Sequence, residues 1–325
     1  MIETSDLRKS YRTGRGHKAS TVDAVRGVDL KVDAREIFGF LGPNGAGKTT
    51  TLRMLATLLE PDGGTATVAG IDLLRHPERV RAQVGYVAQT SGTYDRATAR
   101  QELVLQARMH GIAKAQAIEL SEKALDAFHL GEFADRRVST YSGGQKRRLD
   151  VALGVIHQPQ VLFLDEPTAG LDPPTRARMW DEVRRLRELG MTIFLTTHYL
   201  DEADALCDRI AIIDHGQIVA EGTPEDLKRQ ISGDVVTVGL DGAQTASVED
   251  GTVNVAAKLL RGQPYVRDLE VLDDGVRLYV DSGATAIPQV IRDLAASGVE
   301  PGTIELRRPT LDDVFLVKTG RSLEE

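Results

Sequence analysis

A glycine-rich loop that leads into a lysine and a threonine is the feature that most restricts the fold of this chain. Residues 42 to 49 follow the pattern Gly-x-x-x-x-Gly-Lys-Thr without exception. The apolar run Ile37–Leu41 precedes the loop, and a helical pattern follows from Thr49 to Leu59. In this strand–loop–helix context, glycines let backbone N–H groups turn inward around a phosphate, and the helix N-terminus adds a favourable dipole. The loop therefore predicts a nucleotide-binding site.

Each part of the loop can be assigned to a part of ATP and its metal ion. Backbone groups would surround the β-phosphate, while Lys48 reaches the β- and γ-phosphates and Thr49 places its hydroxyl on Mg²⁺. Thr50 is placed to touch the α-phosphate. The predicted ATP-binding residues of this segment are Gly42, Pro43, Asn44, Gly45, Ala46, Gly47, Lys48, Thr49 and Thr50.

An acidic pair ends a second apolar strand. Residues 161 to 164 are followed by Asp165 and Glu166, at the sheet edge where open α/β folds bind ligands. We expect Asp165 to lie on the Mg²⁺ side and Glu166 to act as the general base for the attacking water. Such a pair alone is more often a helix cap or a solvated strand end. Downstream of a phosphate-binding loop, the catalytic interpretation is favoured.

Apolar patterning predicts an α/β fold with further parts. Buried strands at 37–41, 85–89, 161–165 and 192–196 alternate with helices, as in a parallel sheet. Strands at 2–7 and 22–32 predict an antiparallel N-terminal β-subdomain with a solvated basic loop, 12–20. Helices at 102–110 and 116–128 predict a helical subdomain at about 94–158. We expect domains at 1–230 and 231–325, the second being α+β with the order β-α-β-β-α-β of split-βαβ or ferredoxin-like folds.

Composition excludes some functions and suggests a compartment. The net charge of −8 disfavours a wide nucleic-acid footprint, so we expect no nucleic-acid partner. The basic run 146–148 is expected to be solvated or dimer-facing. Cys207 is the single cysteine, which fits a reducing compartment, and it is expected to be buried and inert. Apolar runs fall well short of about 20 residues and the start is unlike a secretory signal, so a membrane role requires a partner.

A second glycine turn carries a family resemblance. Residues 141 to 145 read Tyr-Ser-Gly-Gly-Gln and resemble the signature loop of ATP-binding-cassette (ABC) ATPases, in which leucine is the common first residue. An ordinary turn is an equal interpretation of the four residues alone, but their position upstream of Asp165 follows the family order. The resemblance implies that Ser142, Gly143, Gly144 and Gln145 close over the γ-phosphate of ATP held by a second copy of the chain.

Four further residues match the family in order along the chain. Gln89 resembles the Q-loop glutamine that touches Mg²⁺ or the water, and His198 resembles the switch histidine that contacts the γ-phosphate. Asp172 resembles the D-loop residue at the dimer interface, and Tyr11 the aromatic that stacks on adenine. The simpler interpretations are a surface glutamine, a packed histidine, a turn and a core tyrosine. The implied catalytic set is Glu166, His198, Gln89 and Lys48, and the implied metal ligands are Thr49, Gln89 and Asp165.

The resemblance implies a P-loop NTPase fold, ATP and Mg²⁺ as ligands, and a nucleotide-sandwich homodimer. It also implies a separate ABC-2-type membrane permease, which would hold the chain at the cytoplasmic face of the membrane. Residues 308–316 and 319–321 resemble the tail of daunorubicin-resistance-type exporter ATPases, and they also fit a capped helix. An importer motor remains an alternative. A soluble cassette ATPase acting on nucleic acid or ribosomes is disfavoured by one motif set without sustained heptads. We expect the C-terminal domain to be regulatory or dimer-supporting.

Overall fold

The computed structural model of the chain describes residues 1–13, 20–230, 233–240 and 252–320. Most of the predicted basic loop, the start of the predicted second domain at Ile231 and Arg321 of the tail lie outside these ranges. The chain packs into two units that meet in sequence between Pro224 and Glu225, and each unit is described by itself. Within the described ranges, every helix is too short or too polar to cross a bilayer.

The first unit alternates strands and helices. Its elements in chain order are β1 (Ile2–Thr13), β2 (Ser20–Val32), β3 (Ile37–Leu41), α1 (Lys48–Leu55), β4 (Gly63–Val68), β5 (Ile71–Asp72), α2 (Pro77–Arg81), β6 (Val84–Val87), α3 (Ala99–Met109), α4 (Lys114–Ala127), α5 (Gly143–Val155), β7 (Val161–Asp165), α6 (Pro173–Glu188), β8 (Thr192–Thr197), α7 (Leu200–Leu206), β9 (Arg209–Asp214) and β10 (Gln217–Gly222).

A six-stranded sheet forms the centre of this unit. Its strand order is β10-β9-β3-β8-β7-β6, in which β10 alone runs antiparallel to its neighbour. Every residue of β3, β7 and β8 is buried, as expected for central strands covered on both faces. Since these three strands are parallel neighbours, the residues after their carboxyl ends meet at one edge. That edge receives the glycine-rich loop, Glu166 and His198.

The predicted antiparallel and helical parts are both present, with shifted boundaries. The N-terminal sheet has the order β2-β1-β4-β5, and all its pairs are antiparallel. Helix α3 begins at Ala99, before the predicted Glu102, because Thr98 and Gln101 form a reciprocal capping box. Helix α1 ends at Leu55, before the predicted Leu59, and the chain turns through Thr57 with a φ of 61°.

The second unit confirms the predicted ferredoxin-like order. Its four strands are all antiparallel in the order β12-β13-β11-β14, and the core between sheet and helices is formed by residues such as Val236, Val238, Leu260 and Val290. The helix α8 crosses the sequence boundary between the units. The elements are α8 (Pro224–Arg229), β11 (Asp234–Leu240), α9 (Thr252–Arg261), β12 (Val266–Leu272), β13 (Gly275–Val280), α10 (Gly283–Ala296), β14 (Pro301–Arg307) and α11 (Leu311–Thr319), the last capped by Thr310.

Candidate active site

The glycine-rich loop connects β3 to α1 in a conformation that requires glycine. Gly45 and Gly47 have φ values of 82° and 107°, in the left-handed region, and a side chain on Gly47 would overlap the carbonyl of Ala24. Lys48 begins α1 and folds back over the loop, where its ammonium donates to the carbonyls of Gly42 at 2.7 Å and Pro43 at 3.1 Å. Burial lowers the pKa of Lys48, and the nearby charge of Glu166 opposes that shift. The loop thus presents a buried cation at the sheet edge.

Thr49, Asp165 and Thr196 gather oxygen atoms beside the loop. The hydroxyls of Thr49 and Thr196 donate to Asp165 Oδ1 at 2.9 Å and 2.7 Å. Hydroxyl and carboxylate oxygens are hard donors of the kind Mg²⁺ prefers, and Mg²⁺ usually takes one or two protein ligands, with phosphate and water completing its shell. The donor set therefore fits Mg²⁺, which Thr49 and Asp165 would hold.

The carboxylate of Glu166 lies at the meeting point of three predicted residues. Its Oε1 is 3.5 Å from Lys48 Nζ and 3.2 Å from His198 Nδ1, while its Oε2 accepts a 2.8 Å hydrogen bond from Gln89 Nε2. Glu166 is buried, and its φ of 46° is strained for a residue with a side chain. A carboxylate oriented in this way can polarise a water and accept its proton.

The signature segment lies at the start of α5. The Ser142 hydroxyl caps the helix by accepting a hydrogen bond from the backbone N–H of Gln145. In turn, the side-chain Oε1 of Gln145 accepts a hydrogen bond from the backbone N–H of Ser142. Tyr141, where the family commonly has leucine, is buried and donates its hydroxyl to the Phe133 carbonyl at 2.6 Å. Ser142 and Gly143 are exposed. In the described ranges, no hydrogen bond joins residues 142–145 to the glycine-rich loop.

Two predicted residues lie on exposed positions. Tyr11 is 40% exposed on β1, opposite Val22 of β2. Asp172 occupies the N-cap position of α6, yet its side chain makes no capping hydrogen bond. Their roles towards adenine and the dimer interface stay predictions.

Two residues at the site were missed in the sequence, and one expectation was wrong. The N–H of Glu166 donates to both the carbonyl and the hydroxyl of Thr196, which therefore orients both acidic residues. Arg147 was expected to be solvated or dimer-facing with its basic neighbours. It is buried, only 7% exposed, because α5 packs this side of the helix inward with Val151 and Gly154. The spacing 147, 151, 154 is the i, i+4, i+7 stripe of a buried helix face, and it was the available signal.

Two family models match the chain. The ABC transporter model matches residues 25–169, and the model of the C-terminal domain of DrrA1-3-like ATP-binding proteins matches residues 222–319. The daunorubicin/doxorubicin resistance ATP-binding protein DrrA of Streptomyces peucetius is 42% identical over 334 residues, covering 100% of this chain and 94% of that protein. The chain belongs to the ABC transporter ATP-binding family. The family is one of ATPases, so the chain is an ABC ATPase.

Solved structures share the cassette fold of this ABC ATPase. An ATP-binding subunit of an ABC transporter is similar with a TM-score of 0.61 and 29% identity, over 70% of this chain and 92% of that chain. A dimeric ATP-binding cassette bound to ADP and Pi in a post-hydrolysis state is similar with a TM-score of 0.62 and 23% identity, over 69% and 98%. The likeness confirms the α/β P-loop NTPase fold predicted for the ABC ATPase.

Proposed function

We propose that this ABC ATPase hydrolyses ATP at the cytoplasmic face of a membrane to power the export of a drug-like or hydrophobic compound through a separate permease. The observation that carries the proposal is the convergence of Lys48, Gln89 and His198 on the single carboxylate of Glu166. Lys48 and the loop N–H groups bind the β- and γ-phosphates, and Tyr11 stacks on the adenine. Glu166 holds the attacking water and takes its proton, while Gln89 and His198 keep the carboxylate and water aligned.

Mg²⁺, held by Thr49 and Asp165 with Gln89 nearby, would neutralise charge on the phosphates when bound. The backbone strain at Glu166 favours the same mechanism, since strained residues at a site persist only where the surroundings hold them in place. Here the Thr196 hydroxyl accepts a hydrogen bond from the Glu166 N–H and keeps the carboxylate at the edge of the sheet.

A second copy of the chain completes the pocket. The exposed start of α5 offers the N–H groups of a capped helix, which suit a γ-phosphate, but it makes no hydrogen bond to its own glycine-rich loop within the described residues. We therefore assign residues 142–145 and Asp172 to the ATP held by the partner in a nucleotide-sandwich homodimer. The dimeric cassette noted above shares this fold.

A groove of about 520 Å³ beside Gln89 is the proposed docking site for an ABC-2-type permease. Exposed apolar side chains line it, namely Tyr94, Leu105 and Met109, and Met109 is 75% exposed. The groove reaches Ala88, next to Gln89, so a segment of the permease bound there would contact the catalytic glutamine's loop. Export is favoured over import because relatives that cover the whole chain are named resistance or export ATP-binding proteins, among them the Nod factor export ATP-binding protein I of Rhizobium sp., which is 37% identical.

Replacement of Glu166 tests the assigned chemistry. Glu166→Gln is expected to retain ATP binding and to lose about 10²- to 10⁴-fold in kcat, since it removes the general base and keeps the shape. The control is Glu188→Gln, which changes an exposed carboxylate at the end of α6. Turnover by the Glu166→Gln protein equal to that of the control would show that another group is the base.

Copurification tests the permease groove. A tagged chain extracted in detergent from its native host is expected to retain a polytopic membrane protein. Met109→Asp should release that protein because it places a charge among the exposed apolar side chains of the groove. Leu189→Asp is the matched control, since Leu189 is 72% exposed and lies outside the groove. Equal retention by both variants would place the docking site elsewhere.

A further inference from the structure

A single buried arginine joins three segments of the nucleotide site. Arg147 of α5 donates from Nη1 to the Ala88 carbonyl at 2.6 Å and from Nε to the Pro167 carbonyl at 2.7 Å. Its Nη2 donates to the carbonyls of Asp165 at 3.1 Å and Glu166 at 3.3 Å. Burial lowers the pKa of this guanidinium, with Asp150 and Asp165 acting in the opposite direction. The planar guanidinium carries five N–H donors on three nitrogen atoms, so one side chain reaches four separate carbonyls, whereas the three donors of a lysine share a single nitrogen.

The carbonyls that Arg147 binds surround the strained catalytic residue. Asp165, Glu166 and Pro167 are consecutive, and Glu166 has the left-handed φ of 46°. Bonds to three successive carbonyls favour this turn over relaxed alternatives, because relaxation would leave buried carbonyls without donors. Arg147 thus hydrogen-bonds the backbone of the turn that carries the Glu166 carboxylate.

The fourth carbonyl brings in the Q-loop. Ala88 directly precedes Gln89, whose amide donates to the Glu166 carboxylate at 2.8 Å. The two segments are therefore linked twice, through the Gln89–Glu166 side chains and through the guanidinium of Arg147. A shift of either segment must stretch both links.

Helix α5 also begins with the signature residues. Gly154 at the other end of α5 packs so closely against Gly85 of β6 that a side chain at Gly85 would overlap the Gly154 carbonyl. This contact anchors the end of the helix to the central sheet. Ser142 and Arg147 belong to the same helix and lie little more than one turn apart, so a rigid displacement of the capped first turn would also displace Arg147.

We propose that Arg147 is a positioning residue that couples the signature turn to the Glu166–Gln89 pair of the same chain. The inference rests on the proposed function: the signature turn senses the ATP of the partner copy, and Arg147 reports its position to the water-activating pair of its own site. Hydrolysis at the two sites of the dimer is coordinated by this link.

Variants of the full chain test the assignment. Arg147→Gln is expected to lower kcat by about 10- to 100-fold, the usual effect of a small displacement of catalytic groups, and to leave ADP affinity within about threefold. Arg147→Lys keeps the charge but fewer carbonyl bonds, so its kcat should lie between those of Arg147→Gln and the wild type. Arg184→Gln is the control, because Arg184 also donates to a backbone carbonyl, that of Ala205, at the protein surface.

Hydrogen exchange supplies a measurement that does not require turnover. Amides of segments 86–91 and 163–168 are expected to exchange faster in both Arg147 variants with ADP bound, and at the wild-type rate in Arg184→Gln. If Arg147→Gln fails to fold, Arg147→Lys carries both measurements. Unchanged kcat and exchange in the Arg147 variants, or a loss confined to melting temperature, would overturn the inference. Absence of turnover in the wild-type chain would instead count against the proposed function.

Discussion

A half-buried histidine in the groove beside Gln89 should make this ABC ATPase sensitive to acid. His157 stacks on His110 with ring centroids 3.7 Å apart, and its Nε2–H donates to the Val84 carbonyl at 3.0 Å. Burial lowers the pKa of His157 from 6.5 to about 4, and the neighbouring His110 adds to the shift. Asp150 and Glu102 also line this groove, and burial raises the pKa of each carboxyl.

The sign and size of the effect follow from proton linkage. The unfolded chain protonates His157 below pH 6.5, whereas the folded chain keeps it neutral until about pH 4. The stability due to this residue is therefore present above pH 6.5 and is lost as the pH falls towards 4. Linkage gives at most about 2 kcal/mol of lost unfolding free energy at pH 5.0. Solvent screening of the partly buried ring reduces this to about 1 kcal/mol.

Replacement by glutamine removes the titration while retaining an N–H donor. Between pH 7.5 and pH 5.0 the unfolding free energy should fall in both proteins, and the fall should be about 1 kcal/mol smaller in His157→Gln than in the wild type. Urea unfolding followed by the fluorescence of Trp180, the single tryptophan, measures the unit that contains the groove. His76→Gln is the control, since His76 is an exposed histidine. An identical fall in the wild type and His157→Gln would refute the reasoning.

Three further predictions concern packing and domain organisation. Gly85→Ala should destabilise the first unit by about 1 to 3 kcal/mol in urea unfolding, because its Cβ would overlap the Gly154 carbonyl; wild-type stability would contradict the close contact. Tyr141→Phe should lower the free energy of unfolding by about 1 kcal/mol, because the Phe133 carbonyl loses its hydrogen-bond donor. Tyr94→Phe, which alters an exposed ring, is the control, and an equal loss of unfolding free energy in that variant would argue against the bond. A chain ending at residue 230 should bind fluorescent ADP with unchanged affinity, since the nucleotide site lies within the first unit; loss of binding by a folded truncate would assign the C-terminal domain a part in the pocket.

The glycine-rich loop was predictable because its pattern is local in sequence. A phosphate is surrounded by consecutive backbone N–H groups, which requires closely spaced glycines and a lysine at a fixed offset, and both are visible in residues 42–49. The C-terminal order of strands and helices was equally visible, since alternating and helical patterns are read segment by segment. Helix ends were less predictable, because the start of α3 depends on a capping box formed by Thr98 and Gln101.

The burial of Arg147 could not be read from its own neighbourhood. A run of Lys146, Arg147 and Arg148 suggests a solvated face, and the two flanking residues do contact groups that are partly exposed, Asp95 and the carbonyl of His129. Arg147 differs because the stripe it shares with Val151 faces the sheet, where carbonyls from two loops are available as acceptors. The identity of a partner that is distant in sequence is set by packing, which a single sequence does not display.

This difference separates binding from coupling in the site. The groups predicted to bind the phosphates lie within one loop, so they form a motif that can be recognised in the sequence. Coupling requires a contact between segments that approach each other only after folding, such as α5 and the turn at Glu166. The acceptors in that contact are backbone carbonyls, which every residue has, so the sequence does not indicate which of them will be used. A variant at Lys48 should therefore act mainly on nucleotide affinity, whereas a variant at Arg147 should act on kcat at unchanged affinity. The two residues are expected to give different kinetic signatures although both contact Glu166, Lys48 at its carboxylate and Arg147 at its backbone carbonyl.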